Sequence, residues 1–222
     1  MSKKWLKVAL MVTAIATGTS IQVDAETVLY VPQDDRPVSL QYTVDTAKAA
    51  GMTVLTPPQN LISGKTYKGQ ADQIWNWVEQ NAGRADVMVL STDTLIYGGL
   101  VDSRKHNLPL STLENRLKRI EALKANHKNI RIYGFGTVMR SPRASGGGTE
   151  PSYYADYGPT IFQIAALQDK LDAGTLTQAE TQKLMSLQAS VPVEYLQDWF
   201  SRRQKNMQVN LSLIHISEPT RR

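Results

Sequence analysis

Apolar and polar positions follow two different periods along the first two thirds of the chain. Four short apolar runs have the length of buried strands: residues 27–31, 52–55, 85–90 and 130–133. Three stretches between them carry apolar side chains at helical spacing: residues 39–50, 70–81 and 111–126. The repeated strand–helix unit predicts right-handed crossovers and an α/β fold, with a parallel sheet of about four strands and flanking helices.

The rhythm changes after the fourth predicted strand. From residue 159 to residue 210 apolar positions recur every three or four residues, which predicts helices only. Thr177 and Glu180 have the spacing of a capping box, and so do Ser111 and Glu114 before an earlier helix. We therefore predict an α/β domain over residues 26–158, TIM-barrel-like in outline and only the first part of such a domain, followed by a helical segment or insertion.

Residues 1–25 have the pattern of a secretory signal peptide. Three lysines precede an apolar stretch, and Val23-Asp24-Ala25 resembles a cleavage site. The alternative is an uncleaved membrane anchor, but the apolar stretch is well short of the roughly 20 residues that a spanning helix needs. We expect a secreted or extracytoplasmic protein, at the cell surface or in the periplasm, without stable membrane insertion after cleavage.

Residues 211–222 do not continue the pattern before them. Reverse translation of this segment resembles read-through of a transposase adapter used in sequencing libraries, and such scars are excluded from fold reasoning. The alternative is a genuine strand over residues 211–216, which alternate acceptably. We favour the adapter, in which case the natural gene continues past Asn210 and the sequence is a fragment.

Composition then excludes several functional classes. Of the net charge of +5, the signal segment carries +2 and the last twelve residues +1, so +2 remains and does not indicate a nucleic-acid partner. The chain has no cysteine, which excludes disulfides and a thiol nucleophile. His106 and His127 have the settings of structural histidines, which makes a serine triad or a zinc site improbable. Glycine-rich pieces lack the nucleotide-binding patterns, so we predict no cofactor and no bound metal.

Unusual polar clusters follow three of the four predicted strands. They are Gln33-Asp34-Asp35-Arg36, Ser91-Thr92-Asp93 and Arg140-Ser141-Pro142-Arg143. The carboxyl ends of parallel strands lie at one edge of a sheet, and ligand sites are built from the loops there. We therefore expect tertiary structure to bring these clusters together into one site.

Carboxylates and arginines set the chemistry of that site. Asp34, Asp35 and Asp93 are the candidate catalytic acids, since paired carboxylates cleave glycosidic bonds. In the alternative, Asp34 or Asp35 caps a turn and pairs with Arg36.

Five further side chains complete the candidate set. The predicted substrate-binding residues, in addition to Arg36, are Thr92, Arg104, Arg140, Arg143 and Tyr154. The arginines could bind a carboxylate, sulfate or phosphate, or could form a solvated rim. The tyrosines of residues 153–157 could line a sugar site or pack their loop onto the sheet.

Several of these segments together resemble one family. The segments are VLYVPQDDRPVS, STDTLIYGGLVDSR, TVMRSPR, YYADYG and RRQKNMQVN, and they span the chain from Glu26 to Asn210. In this order they resemble the bacterial domain-of-unknown-function family 4127, with Gln33 standing where a leucine is expected. The resemblance implies a secreted or surface protein longer than this chain and places Asp34, Asp93 and Arg104 inside family motifs, but implies no catalytic role.

Two classes of function fit these observations. The first is a carboxylate-dependent hydrolase, resembling a glycoside hydrolase, that acts on a glycan or another polar cell-surface substrate. The second is a non-catalytic extracytoplasmic protein that binds a solute or glycan at the same edge. A divalent-metal hydrolase using the same acids is a third option.

Overall fold

The computed structural model describes residues 25–144 and 147–217. Its four strands are β1 (Thr27–Val31), β2 (Thr53–Leu55), β3 (Val87–Ser91) and β4 (Arg131–Phe135). Its eight α-helices are α1 (Gln41–Ala49), α2 (Ala71–Asn81), α3 (Thr92–Tyr97), α4 (Leu100–Lys105), α5 (Leu110–Asn126), α6 (Tyr154–Asp172), α7 (Gln178–Ala189) and α8 (Val193–Ser217). Two short 3-10 turns lie at Gln59–Leu61 and Ala82–Arg84. The predicted signal peptide lies outside the described residues.

All four strands are parallel, in the spatial order β2-β1-β3-β4. The four-stranded parallel sheet with flanking helices is therefore confirmed. The expectation of a TIM-barrel-like arrangement is wrong, because a barrel pairs each strand with its neighbour in sequence, whereas here β1 lies between β2 and β3. The order is that of a doubly wound sheet, in which the chain first moves to one side of β1 and then crosses back to the other.

Alternate residues of the two central strands face opposite layers. Four inward side chains, Leu29, Val31, Met88 and Leu90, are at most 2% exposed and pack with residues of α2 and α5 in one core. The opposite face, with Val28, Tyr30 and Val89, looks onto Thr43 and Ala47 of α1. Trp75 of α2 is fully buried in the first layer and donates through Nε1 to the carbonyl of Leu95 at 2.8 Å, so its interpretation as a core residue is confirmed.

The helical segment has a core of its own. Tyr154, Ile161, Ile164 and Trp199 pack together with residues of α7, separately from the core below the sheet. The segment begins earlier than predicted, because α6 starts at Tyr154 and Pro159 lies inside it. Proline favours the first turn of a helix, which placed the predicted start five residues too late. The division into domains at residues 158 and 210 stays a prediction.

Only one of the two predicted capping boxes forms. Thr177 accepts a hydrogen bond from the backbone of Glu180, and the Glu180 side chain accepts from the backbone of Thr177. At Ser111 the prediction is wrong: α5 begins at Leu110 with Pro109 as its N-cap, and no side chain caps it. Proline at residue 109 fixes the start of the helix, so Ser111 is already inside the first turn.

The last described residues continue α8. Residues 211–217 are helical, so the alternative of a C-terminal strand is wrong. Val209, Leu213 and Ile216 lie against Leu113 and Leu117 of α5. Within residues 25–144 and 147–217, no helix is both long and apolar enough to cross a membrane.

Candidate functional site

Two loops meet at the carboxyl ends of β1 and β3. Gln33, after β1, donates through Nε2 to Asp93 Oδ2 at 2.7 Å, and Thr94 Oγ1 donates to the carbonyl of Pro32 at 2.6 Å. In the strand order β2-β1-β3-β4 the winding direction reverses between β1 and β3. Ligands of doubly wound proteins bind in the crevice at this reversal, outside the carboxyl ends of the strands. The two candidate clusters therefore lie at the position that the topology makes available for a ligand.

A tight strand-to-helix turn holds Asp93 in place. Ser91, the last residue of β3, caps α3 by accepting a hydrogen bond from the backbone of Thr94 at 3.3 Å. Helix α3 is buried from Asp93 onward, and Leu95 and Ile96 are fully buried. Asp93 thus lies on a buried helix at the base of the crevice, and the position of its backbone is fixed.

Glycines let the neighbouring loops approach the turn that follows α3. Gly98 has the left-handed φ of 109° that favours glycine. A Cβ on Gly69 would collide with the carbonyl oxygen of Gly98, and a Cβ on Gly99 would collide with Ser63 Oγ. The loop over residues 63–69 is consequently packed directly on this turn, and the carbonyl of Ser63 accepts from the backbone of Asp35 at 2.9 Å.

Asp93 is the most deeply buried of the candidate acids, with only 3% of its surface exposed. Its Oδ2 accepts from Gln33 Nε2, from the backbone of Thr137 at 3.1 Å and from Thr137 Oγ1 at 2.9 Å. Burial raises the pKa of the Asp93 carboxyl, and the three hydrogen bonds oppose that rise only in part. All hydrogen bonds from described residues reach Oδ2, which leaves Oδ1 as the oxygen that can carry a proton.

Asp34 forms the ion pair that the sequence left as an alternative. Its Oδ2 lies 2.8 Å from Arg36 Nε and 2.7 Å from Arg36 Nη2, and its Oδ1 accepts from the backbone of Arg36 at 3.3 Å. The Asp34 side chain is buried, whereas half of the Arg36 side chain is exposed. The neighbouring Asp35 accepts instead from the hydroxyl of Tyr67. Asp34 and Asp35 therefore point to different partners, as adjacent residues of an extended chain do.

Arg104, in the last turn of α4, and Arg140, in the loop after β4, approach the same crevice. Arg140 donates to Glu150 Oε1 from Nε at 3.0 Å and from Nη2 at 2.6 Å, and Glu150 Oε2 accepts from Thr149 Oγ1 at 2.8 Å. Arg104 Nη1 lies 3.8 Å from the same Glu150 Oε1. Burial lowers the pKa of Arg104, and the positive charges of Arg140 and Arg36 lower it further. Three of the four candidate arginines thus influence one another electrostatically.

The remaining predicted residues have other surroundings. The Arg143 guanidinium lies over the Phe162 ring, 5.5 Å from its centroid. Tyr154 is 1% exposed, stacks on Trp199 with centroids 4.3 Å apart, and donates to the carbonyl of Pro142 at 2.7 Å. The packing alternative therefore describes Tyr154, which the structure does not bring to a ligand-accessible surface.

Thr92 likewise faces away from the carboxylates. Its Oγ1 donates to the carbonyl of Phe135 at 3.1 Å, which joins the ends of β3 and β4. It lines an apolar cleft of about 620 Å³ between β4, α5 and α8, whose lining includes neither Asp93 nor Arg104. The cleft is lined by Thr92 and Thr137 but by none of the candidate acids or arginines.

Three residues of the site were not among the predicted ones. Thr137 holds Asp93, Glu150 holds Arg140, and the Tyr97 hydroxyl is buried without a hydrogen-bond partner in the described part of the chain. Burial and the charge of Asp93 raise the pKa of Tyr97. Thr137 lies two residues after β4, so its place in the sequence could have predicted its position at the common edge. No sequence pattern indicates that Tyr97 or Glu150 belongs to the site.

Acidic and histidine side chains do not converge in groups of three or more within residues 25–144 and 147–217. The acids of the crevice are instead separated by their own partners: Arg36 for Asp34, Tyr67 for Asp35, and Gln33 with Thr137 for Asp93. What this arrangement offers chemically is one buried carboxyl, one ion-paired carboxylate and a set of arginine donors.

Fold and site together define a doubly wound α/β protein with an acid- and arginine-lined crevice at its topological switch point. A family model described as a protein of unknown function (DUF4127) matches residues 28–220. The chain belongs to this family, as the resemblance of its motifs indicated. No curated relative and no solved structure matches the chain. The family match includes most of the segment interpreted as adapter read-through, and that interpretation stays a prediction.

Proposed function

We propose that the crevice between β1 and β3 is the active site of a carboxylate-dependent hydrolase that acts on a glycan or another polar cell-surface substrate. Asp93 is its general acid. The observation that carries the proposal is the burial of this carboxyl at the topological switch point, with a raised pKa and with hydrogen bonds to one oxygen only.

A general acid needs a proton near its working pH and a direction in which to give it. Burial in a low-dielectric setting favours the protonated form of Asp93, which is how enzymes retain a carboxylic acid above its ordinary pKa. Because Gln33 and Thr137 fix Oδ2, the proton on Oδ1 is oriented and can be donated to a leaving-group oxygen. The carboxyl is then ionised and keeps the same three donors.

The second carboxylate of such a reaction is Asp34. Its charge is balanced by Arg36, and its ion pair is held at the end of β1, beside the Gln33 that contacts Asp93. An ion-paired carboxylate can orient a water molecule or stabilise positive charge on a sugar ring. Asp35 is the less suitable candidate, because its side chain is engaged by Tyr67.

The signal-peptide pattern of residues 1–25 supports an extracytoplasmic location for this activity. Substrates there include polysaccharides and other polar polymers of the cell surface. The site offers them arginine and amide donors around the acid, whereas Tyr154 is packed in the core of the helical segment.

Turnover by the full-length chain tests the proposal. Fluorogenic glycosides and purified cell-wall polysaccharides are the substrates, and the variant is Asp93→Asn. Loss of a general acid lowers kcat by about 100-fold to 10,000-fold and leaves substrate binding intact. The matched control is Asp169→Asn, an exposed acid on α6, which leaves kcat unchanged. Full activity of the Asp93→Asn variant contradicts the proposal.

A non-catalytic binding protein is the second candidate. It is favoured by the intramolecular partners of Asp34 and Asp35, because a catalytic base is more reactive without an ion pair. For this function Asp93→Asn changes affinity for the same glycans, and no substrate of the panel is converted by the unmodified protein.

A further inference from the structure

Among the described residues, Arg104 differs from the other buried or half-buried arginines in having no hydrogen-bond partner. Its side chain is 14% exposed, and its one close polar contact within the described chain is Glu150 Oε1 at 3.8 Å. A guanidinium carries five N–H donors in a fixed plane, and no described residue supplies those of Arg104 with an acceptor. Arg202, which is 3% exposed, directs its donors at four different acceptor atoms.

Glu150 gives Arg104 no hydrogen bond. Its Oε1 accepts two hydrogen bonds from Arg140, and its Oε2 accepts from Thr149. The carboxyl group is therefore oriented toward Arg140, and its distance to Arg104 exceeds that of a hydrogen bond.

The two arginines beside Arg104 each have an acid of their own. Asp34 pairs with Arg36 and Glu150 pairs with Arg140, each through short contacts with both Nε and Nη2. Arg104 has no such pair: Asp93 acts on it only electrostatically, and burial raises the pKa of that carboxyl.

We propose that Arg104, flanked by Arg36 and Arg140, binds one anionic group of the ligand, so that the crevice is selective for molecules bearing a carboxylate, sulfate or phosphate. The planar fork of Arg104 matches two oxygens of such a group. An acidic substrate class rests on the proposed function, because only an enzyme has a substrate. Anion binding at Arg104 does not rest on it, since binding needs no catalysis.

The bound anion also acts on Asp93. The positive charge of Arg104 lowers the pKa of Asp93, so an anion bound at Arg104 opposes that effect and raises the pKa. The groups that face Asp93 in this exchange are Gln33, Thr137, Tyr97 and Arg104. Neutral sugars give no such effect.

Isothermal titration of the full-length chain with glucuronate, sulfate and phosphate in chloride-free buffer tests this inference, with glucose as the neutral probe. The three anions separate the possible sources of the charge, and each should bind more tightly than glucose. In Arg104→Gln we expect affinity for the tightest anion to fall about 10-fold to 100-fold, as the loss of charge-assisted hydrogen bonds predicts. The matched control, Arg84→Gln, changes an exposed arginine at the opposite edge of the sheet and leaves affinity unchanged.

Circular dichroism shows whether Arg104→Gln folds. If it does not, Arg104→Lys keeps the charge without the planar fork, and a smaller loss of affinity, about 3-fold to 10-fold, is expected. Equal affinity of unmodified and Arg104-substituted protein overturns the inference, and so does binding of glucose as tight as that of glucuronate.

The failure of this inference and the failure of the hydrolase proposal look different. Asp93→Asn should retain anion binding, since Arg104 is untouched. Anion binding that depends on Arg104, together with full turnover in Asp93→Asn, supports the anion site and contradicts the proposed acid. Turnover that depends on Asp93 but not on Arg104, with no preference for anions, supports the proposed acid and contradicts the anion site.

Discussion

The part of α8 formed by Arg202 and Asn206 and the carboxyl edge of the sheet both bury polar side chains, but these side chains differ in how many hydrogen bonds they make. On α8, Arg202 is 3% exposed and donates to the carbonyl of His106, to Asn107 and to Asp198. Asn206 contacts the His106 ring and the carbonyl of Ser103, both at 2.8 Å. At the sheet edge, Arg104 makes no hydrogen bond with any described residue, and the Tyr97 hydroxyl has no partner among them.

The difference separates two uses of buried polarity. Arg202 and Asn206 of α8 have acceptors or donors for their polar groups, and these hydrogen bonds hold α8 against the end of α4 and the loop after it. Removing one partner of such a buried hydrogen bond leaves the other unsatisfied and lowers stability. At the sheet edge, Arg104 and the Tyr97 hydroxyl lack such partners among the described residues, and we infer that a ligand supplies them at Arg104. Arginines, acids and amides thus fix structure in one region, and in the other we propose that they bind a ligand.

The largest expected effect breaks the saturated region. Arg202→Met removes the donor of two acceptors and leaves Asp198 with the Tyr153 hydroxyl alone. Because Asp198 is partly exposed, we expect a cost of about 3 kcal/mol in the free energy of unfolding, the lower end of the range for breaking a buried pair. Urea denaturation measures it. The control is Arg131→Met, whose pair with Glu26 is exposed on both sides and is worth at most about 1 kcal/mol. Equal costs for the two variants would mean that the Arg202 contacts do not hold α8 in place.

A second, smaller effect concerns His106 in the same region. Burial lowers the pKa of His106 to about 4, with the charges of Lys205 and Arg202 acting in the same direction and Asp198 against it. Its Nδ1 accepts from the backbone of Leu108, so Nε2 carries the proton donated to Asn206. The unfolded chain takes up a proton near pH 6.5, whereas the folded chain does so only near pH 4.

Stability from His106 is therefore complete above about pH 6.5 and is lost as the pH falls toward 4. The expected loss is about 2–3 kcal/mol, measured as the shift of the urea midpoint with pH. His106→Gln should flatten this part of the profile, whatever its effect on stability at pH 7. A profile that keeps its slope in the variant would assign the pH dependence to other groups.

The sheet edge is expected to show the opposite sign. Burial raises the pKa of Asp93, so its contribution to stability is complete below about pH 4, where the unfolded carboxyl is protonated. That contribution is lost as the pH rises through the raised pKa. Asp93→Asn removes the loss, and at pH 7 we expect the variant to be about 0.5–2 kcal/mol more stable than the unmodified protein.

Thermal and urea unfolding of Asp93→Asn at pH 4 and pH 7 provides the measurement, with Asp169→Asn as the exposed control. Destabilisation at pH 7 would show that the three hydrogen bonds to Oδ2 outweigh burial. Asp93 would then belong with the saturated polar groups of α8, and the comparison between the two regions would no longer hold.

Much of the fold follows from local patterns, because strand and helix periods are written in single stretches of chain. The alternation of Leu29 and Val31 with Val28 and Tyr30 indicates a strand, and the spacing around Trp75 indicates a helix. The strand order does not follow, since both a barrel and a doubly wound sheet repeat the same unit. Which neighbour β1 selects depends on tertiary packing, and this is why the barrel expectation failed.

For the site, sequence position predicted which loops would meet but not which side chains would pair. The strand-end rule placed Gln33, Asp34 and Asp93 at one edge, as the structure does. An acid there can be ion-paired, as Asp34 is, or buried with neutral hydrogen-bond donors, as Asp93 is. The spacing of residues along the chain does not determine the distances that decide between the two. Tyr154 lay in an aromatic run without periodicity, so nothing local distinguished a ligand contact from core packing.

The smallest expected effect tests the same limit at helix ends. Thr177→Ala removes the side-chain half of a capping box at the start of α7, the acceptor of the Glu180 backbone, which costs about 1 kcal/mol. Ser111→Ala alters a residue with the same sequence signature that lies inside the first turn of α5, where Pro109 already sets the start, so we expect a change within about 0.5 kcal/mol. Urea midpoints of the two variants, measured side by side, distinguish the capping box that forms from the sequence motif that does not form one. Equal costs would mean that Ser111 caps the helix.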